Sequence, residues 1–132
     1  MSLTLSEILA APRKTAPIAV NVPEWGDKPV YVVSPSAFEM DHFNAQQAMR
    51  RENAPGSQFE DLTARIVCMV LCDESGTLIA TPAHFREFSK MPATALDRIW
   101  QAVKPWFGAS HDDVESAAKN SQTTTGEGSV SG

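Results

Sequence analysis

Apolar residues recur at helical spacing along much of the chain, and several of these stretches begin with a capping signal. At four candidate helix starts a Ser or Thr stands three residues before an acid. In this pattern each side chain accepts a hydrogen bond from the other residue's backbone N–H at a helix start. The pairs are Thr4 with Glu7, Ser36 with Glu39, Ser57 with Glu60 and Ser110 with Asp113. A fifth start is Thr81-Pro82, because Pro is favoured at the first helical position.

These signals predict five helices and a mainly α fold. The predicted ranges are about Leu5 to Ala10, Ala37 to Asn53, from after Ser57 through the run that ends at Cys72, Pro82 to about Lys90, and from near Pro92 to Pro105. Three of them carry apolar stripes on one face. The stripes are Phe38, Ala45 and Met49 with Met40 and Phe43 beside them; Phe59, Leu62, Ile66 and Met69; and Ala95, Leu96, Ile99, Trp100 and Val103.

A different pattern, typical of strands, occupies about residues 18–33. Ile18, Val20 and Val22 alternate with smaller or polar residues, and the stretch 30–33 is β-branched and aromatic. Gly26-Asp27 between them is suited to a chain reversal. Since an isolated hairpin is marginal in water, one face of this hairpin must dock on the helices. The predicted class is therefore α+β: a bundle of about four to five helices with two short strands near the N-terminus.

The apolar run from Ile66 to Cys72 contains both cysteines. Periodicity alone leaves a buried strand open, but continuity with the preceding stripe favours a helix. Cys68 and Cys72 would then lie one turn apart. Three residues separate them, whereas redox motifs have two. A structural zinc site needs four ligands, and the three histidines lie in separate elements. Both thiols are therefore predicted to be core residues and not a metal site.

Other segments that resemble sites have ordinary structural interpretations. The segment 73–77 begins like a calcium loop, but the sixth and twelfth positions counted from Asp73 are Leu78 and His84, where such loops need Gly and Glu. It is predicted to be a turn. His84 is predicted to be a surface residue on a short helix. The chain contains no nucleophile motif and no Gly-rich phosphate loop after a strand. We therefore expect no catalytic residue, no cofactor and no enzymatic activity.

Composition limits the classes of partner. A chain of 132 residues with 42% hydrophobic residues suits one domain. The formal net charge is −5 and there is no block of Lys or Arg, so nucleic acid is not an expected partner. No segment reaches the roughly 20 apolar residues of a membrane span, and the start does not resemble a secretion signal, so a cytoplasmic protein is expected. We predict a helical domain over residues 1–108 and a largely disordered, acidic Ser/Thr/Gly-rich tail over 109–132.

Large apolar residues are concentrated in the second half of the domain, and Trp25 stands alone near the hairpin tip. Most of them are expected in the core of so small a domain. Trp106 and Phe107 follow Pro105 next to the tail and are harder to place inside. Aromatic and Met residues at an exposed edge are typical of partner surfaces. The predicted partner-binding residues are Trp25, Tyr31, Phe85, Phe88, Met91, Trp106 and Phe107.

Three stretches together resemble a known family. They are Val22-Pro23-Glu24-Trp25-Gly26 leading to Val30-Tyr31-Val32; Ala64-Arg65-Ile66-Val67 through Leu71-Cys72-Asp73-Glu74-Ser75-Gly76; and Ala95-Leu96-Asp97-Arg98-Ile99. In this order and spacing the chain resembles the tail assembly chaperones of long-tailed bacteriophages and prophages, over roughly residues 18–120. The chain departs from that family at Ser34-Pro35-Ser36, where a basic residue is more usual.

The resemblance implies a protein-binding role without chemistry. Such proteins bind the long helical tape measure protein, keep it soluble while tail tube subunits polymerise around it, and are absent from the finished virion. The major tail tube protein is a second implied partner, and the edge aromatic residues would serve a homo-oligomer equally well. The family often has a longer frameshifted product, and Ala118-Lys119-Asn120 could be encoded by a slippery run. The alternative hypothesis is a small structural tail or connector protein.

Overall fold

Helices and a small antiparallel sheet make up the computed structural model, which describes residues 1–11 and 15–108. In chain order the elements are α1 (Leu5–Leu9), β1 (Ile18–Val20), β2 (Val30–Val32), α2 (Ala37–Asn53), α3 (Leu62–Val70), β3 (Leu71–Cys72), α4 (Phe85–Ser89) and α5 (Ala93–Val103). The predicted mainly helical class with a small β element near the N-terminus is confirmed. The predicted tail, and the Ser110 cap within it, lie outside the described residues.

The sheet contains the predicted hairpin and one further strand. Its order is β1-β2-β3, and both pairings are antiparallel. Ile18 pairs with Val32, and Val32 also pairs with Leu71. The connection between β1 and β2 contains a 3-10 turn, Pro23–Trp25, followed by Gly26 at φ 122°. A backbone at positive φ favours Gly because it has no Cβ.

Two of the predicted capping boxes form, and they set where α1 and α2 begin. The Thr4 and Ser36 hydroxyls accept hydrogen bonds from the backbone N–H groups of Glu7 (3.2 Å) and Glu39 (3.1 Å). Each glutamate in turn accepts from the backbone N–H of its partner, at 2.8 Å in both cases. The predicted bounds of α2 are confirmed. For Glu7, these hydrogen bonds from Thr4 lower the carboxyl pKa.

The capping box predicted at Ser57 is wrong, and the third helix begins later than expected. The Ser57 hydroxyl donates to the carbonyl of Arg50 at 2.9 Å, which ties it to the end of α2 instead. Ser57–Phe59 forms a 3-10 turn, and Asp61, at φ 52°, reverses the backbone before α3 begins at Leu62. Phe59 is therefore not on the same helix as Leu62 and Ile66.

The run from Ile66 to Cys72 divides between two elements. The helix α3 ends at Val70, and Leu71, at φ −70° and ψ 125°, already has extended backbone. Leu71 and Cys72 pair with β2 and complete its second edge. The prediction of one continuous helix through Cys72 is wrong, because β2 needs a second hydrogen-bonded neighbour and this apolar segment supplies it. Leu71 and Cys72 are both buried. Because these residues would be buried in a strand or in a helix, their apolar character alone did not distinguish the two.

The fourth helix has the expected range but a tighter start. Pro82–His84 is a 3-10 turn, and α-helical geometry covers only Phe85–Ser89. The predicted cap at Thr81 takes a different form: its backbone N–H donates to Nδ1 of His84 at 2.9 Å. His84 is exposed, as predicted.

The core lies where α3 and α5 pack together and against the sheet. The stripe predicted for α5 is confirmed, since all five of its residues are buried. After α5 the chain forms a 3-10 turn at Lys104–Trp106, and Phe107 then turns back into the core with no exposed surface. Its ring lies 5.8 Å from that of Phe43 and 6.2 Å from that of Trp100. The expectation that Phe107 lies outside the core is wrong.

The apolar stripe predicted for α2 points to solvent. Phe38 is 80% exposed and Met49 is 59% exposed, and Ala45 between them is also exposed. The helix instead buries Phe43 and Gln47 on its opposite side. Because α2 carries two apolar stripes, periodicity alone could not decide which one faces the core.

A polar network, and not an apolar contact alone, holds the C-terminal half of α2 against the segment that leads into α3. Nε2 of the buried Gln47 donates to the Gln58 carbonyl at 3.0 Å, and Arg65 donates to Oε1 of Gln47 at 2.7 Å. Arg65 also donates to the carbonyls of Gln58 (3.1 Å) and Glu60 (2.8 Å). Burial lowers the pKa of Arg65 to about 10, so the guanidinium is charged at neutral pH. No local pattern in the sequence indicates this network, because its members are up to 18 residues apart.

Candidate partner-binding surfaces

The seven residues predicted to bind a partner do not form one exposed surface. Phe107 is fully buried and belongs to the core. Met91 is exposed, at 39% of its surface. The half-buried ones are Trp25, Tyr31, Phe85, Phe88 and Trp106. Tyr31 lies on β2 between Ala19 and Cys72, and Trp106 lies in the turn after α5.

Trp25 and Phe88 meet, although 63 residues of sequence separate them. Their ring centroids are 6.1 Å apart with an interplanar angle of 46°. Phe85 lies one turn before Phe88 on α4, and the backbone N–H of Met91 donates to the Phe88 carbonyl at 3.0 Å. Trp25, Phe85 and Phe88 pack against the core while leaving part of their surface exposed. We name these four residues, Trp25, Phe85, Phe88 and Met91, the Trp25 patch.

An ion pair fixes the turn that carries Trp25. Oε1 of Glu24 accepts from Nε of Arg98 on α5 at 2.8 Å. Hydrogen bonds from Arg98 and then Thr94 lower the pKa of Glu24 to about 2. The side chains are 20% and 47% exposed, so this is a surface pair whose contribution to stability is modest. Its structural effect is to hold the turn Pro23–Trp25 against α5, so that the Trp25 ring is positioned before any partner arrives.

The indole N–H of Trp25 has an unusual environment. Its nitrogen is buried and has no hydrogen-bond partner among the described residues. A buried donor without a partner costs about 1–3 kcal/mol. A smaller aromatic residue such as Phe would avoid this cost but would lose part of the contact that Trp25 makes with the core.

Both cysteines are buried thiols, as predicted, and neither forms a disulfide. They do not lie on one helix face: Cys68 is in α3 and Cys72 is in β3. Desolvation raises the pKa of Cys68 to about 11. Since the thiolate is the reactive form of cysteine, this environment opposes nucleophilic or redox chemistry at Cys68.

We expect both thiols to resist a chromogenic disulfide reagent in the folded protein and to react fully in denaturant. Raising the pH to about 9, near the usual pKa of a thiol, should accelerate the reaction of an exposed cysteine but leave Cys68 slow. The measurement is the absorbance change over time for the native chain and for an Ala83→Cys variant, whose added thiol would be exposed. Rapid reaction of a native cysteine would contradict the buried placement.

The carboxylate of Asp73 accepts hydrogen bonds from within the turn that follows β3. Oδ1 of Asp73 accepts from the backbone N–H groups of Ser75 (2.9 Å) and Thr77 (3.0 Å) and from the Ser75 hydroxyl (2.7 Å). These hydrogen bonds lower the Asp73 pKa. The predicted turn is confirmed, and the carboxylate serves to close it.

A shallow groove lies beside the start of α2. Its cavity volume is about 190 Å³. It is lined by Val33, Ser34, Pro35, Ser36, Glu39, Met69 and Leu78. Glu39 already accepts the backbone hydrogen bond that caps α2. The groove therefore offers mainly apolar contact.

The outer face of α2 is a second apolar surface, and it carries the stripe that helical spacing predicts for this helix. Phe38, Ala45 and Met49 form it, and all three are exposed. The helix α1 is exposed as well, since none of its residues is buried. The stripe is visible in the sequence as helical periodicity, but only the packed structure shows that it faces solvent while Phe43 and Gln47 face the core.

The described part of the chain contains neither a helix able to span a bilayer nor a cluster of three or more side chains suited to hold a metal ion. Comparisons with known proteins found no matching family model, no matching curated protein and no matching solved structure.

Proposed function

We propose that this protein is a phage tail assembly chaperone. In this proposal it binds the tape measure protein in the host cytoplasm, keeps it soluble and promotes polymerisation of the tail tube, and it is absent from the mature virion. The observation that carries the proposal is the Trp25 patch: a prearranged, partly exposed set of three aromatic residues and one Met on a small domain. Trp is among the residue types that contribute most to binding energy at protein interfaces, and Phe and Met are enriched there.

The stretches that carry the family resemblance lie next to each other in the fold. The first contains Glu24 and the third contains Arg98, and these two residues form the ion pair beside the patch. The second contributes β3, whose Cys72 pairs with Tyr31 at the end of the first stretch. Residues far apart in sequence thus build one structural unit, which favours reading the three stretches as a single signature.

The shifted pKa values of the titratable groups also fit a binding protein better than an enzyme. The shifted pKa values each have a structural cause: Glu24 fixes a turn, Asp73 closes one, and Cys68 is desolvated in the core. An apolar stripe on an unassembled helical protein is an aggregation hazard. A small patch with polar groups at its margin would cover it reversibly, since small interfaces are typically weak or transient.

Co-expression with the tape measure protein encoded by the same phage tests the proposal. We expect the soluble fraction of that protein to rise when the chain is present. Met91→Glu should reduce this rise and weaken co-purification by about tenfold or more, because it places a charge in an apolar interface. Leu78→Glu is a matched control, because Leu78 is 38% exposed and Met91 is 39% exposed.

Three outcomes separate the components of the proposal. If the wild-type chain leaves the solubility of the tape measure protein unchanged, the chaperone function is wrong. If Leu78→Glu abolishes the effect and Met91→Glu does not, the function stands but the binding surface is the groove and not the Trp25 patch. Detection of the chain in purified virions at a fixed copy number would favour the alternative, a structural tail or connector protein.

A further inference from the structure

The outer face of α2 is an apolar stripe that nothing in the described part of the chain covers. Phe38 is 80% exposed and Met49 is 59% exposed, and Ala45 lies between them. Spacings of seven and four residues place all three on one side of a helix. Single exposed apolar residues are ordinary, but an aligned set along a 17-residue helix is not. The opposite side of α2 already makes its contacts with the core through Phe43 and Gln47.

We propose that this face is a homodimer interface in which α2 packs antiparallel against α2 of a second copy. The charges on the helix are arranged for that pairing. The acids Glu39 and Asp41 lie near its start, and in its last turn Arg50 and Arg51 outnumber the acid Glu52, which leaves that end with a net positive charge. An antiparallel pair brings the acidic start of each helix to the basic end of the other, whereas a parallel pair would place like charges together. The helix dipoles favour the same orientation.

The side-chain sizes along the stripe are also self-complementary. Phe38 and Met49 are equally far from a centre between His42 and Ala45. With the twofold axis at that centre, Phe38 packs against Met49 of the partner subunit, and the pair occurs twice, as an isologous contact requires. The small side chain of Ala45 near the axis lets the two helices approach closely.

The dimer should depend on concentration. A 17-residue helix is about 26 Å long, and one pair of such helices buries less than the 1,200–2,000 Å² (roughly) of a standard stable interface. The inference does not rest on the chaperone function, because the α2 stripe and the Trp25 patch share no residue. Either can fail while the other stands.

Sedimentation equilibrium of the full chain tests the dimer. The mean mass should rise with protein concentration from 14.3 kDa toward twice that value. Phe38→Glu and Met49→Glu should each weaken dimerisation by about tenfold or more, because each places a charge in the apolar contact. Both side chains are exposed in the monomer, so the variants should keep the wild-type melting temperature at concentrations where the wild type is monomeric and should lack any rise with concentration. Ile79→Glu is the control, since Ile79 is 57% exposed and lies outside α2.

Cysteine cross-linking tests the orientation. Ala45→Cys lies near the proposed axis and should form a disulfide-linked dimer under mild oxidation. Glu52→Cys should not, because antiparallel pairing places the two copies of position 52 about 25 Å apart along the helix axis. The native thiols are buried and should not interfere.

A wild-type mass that stays monomeric at the highest concentrations would overturn the proposal. Dimerisation that persists unchanged in both Glu variants would overturn the assignment to α2. Cross-linking of Glu52→Cys as readily as Ala45→Cys would indicate a parallel pair and overturn the antiparallel arrangement.

Discussion

Replacing Phe107 with Ala is expected to lower the free energy of unfolding by about 3–5 kcal/mol. The ring is fully buried and contacts the rings of Phe43 and Trp100, so the substitution leaves a cavity between α2 and α5. For a small domain this is a large share of the total stability, which is typically about 5–15 kcal/mol. The measurement is urea unfolding followed by tryptophan fluorescence, together with the melting temperature, which should fall by more than about 12 °C.

Trp106→Ala is the matched control, because Trp106 is the adjacent aromatic residue and is only half-buried. Its truncation should cost about 1–2 kcal/mol. If Phe107→Ala were no more harmful than Trp106→Ala, the placement of Phe107 in the core would be wrong. The original expectation of an exposed Phe107 at the partner surface would then regain support.

Arg65→Ala should lower the free energy of unfolding by about 2–3 kcal/mol. The guanidinium donates to Oε1 of Gln47 and to the carbonyls of Gln58 and Glu60, and the substitution leaves the buried Gln47 oxygen without that donor. The damage should be greatest where α2 meets the segment before α3. Amide hydrogen exchange would report it as loss of protection in the C-terminal half of α2, alongside the shift in the urea midpoint.

Arg65→Lys separates charge from geometry. Lys keeps the positive charge but lacks the planar fork that reaches several acceptors at once, so about half of the loss should remain. A Lys variant as stable as the wild type would show that charge alone holds the two segments together. Arg86→Ala serves as a surface control, since Arg86 is exposed and only stacks over the Phe85 ring at 5.3 Å.

The proposed chaperone function and the proposed α2 dimer together predict how the protein binds a long partner. A dimer formed through α2 would carry two copies of the Trp25 patch. A long helical partner with repeated apolar segments could engage both, which raises the apparent affinity without any new contact. Phe38→Glu, which leaves the Trp25 patch intact, should then weaken capture of the long partner while leaving the affinity for a single short segment unchanged.

Local signals along the chain predicted much of the fold. The boxes at Thr4 and Ser36 marked the starts of α1 and α2, and the β-branched segments marked the hairpin. The periodic stripe of α5 identified five core residues. These features depend on backbone hydrogen bonds and side chains a few residues apart, so the sequence itself contains the relevant information.

The rest was decided by contacts between distant segments. Glu60 was the expected local partner of Ser57, but the Ser57 hydroxyl donates to the Arg50 carbonyl instead. The end of the predicted third helix is a strand because it pairs with β2. The two stripes of α2 are both apolar, and only packing against Phe107 and Arg65 determined which faces inward. Trp25 and Phe88 likewise form one patch only because the chain folds α4 against the hairpin turn. Local patterns thus determined which elements form, while the burial of each face depended on partners that no local pattern specifies.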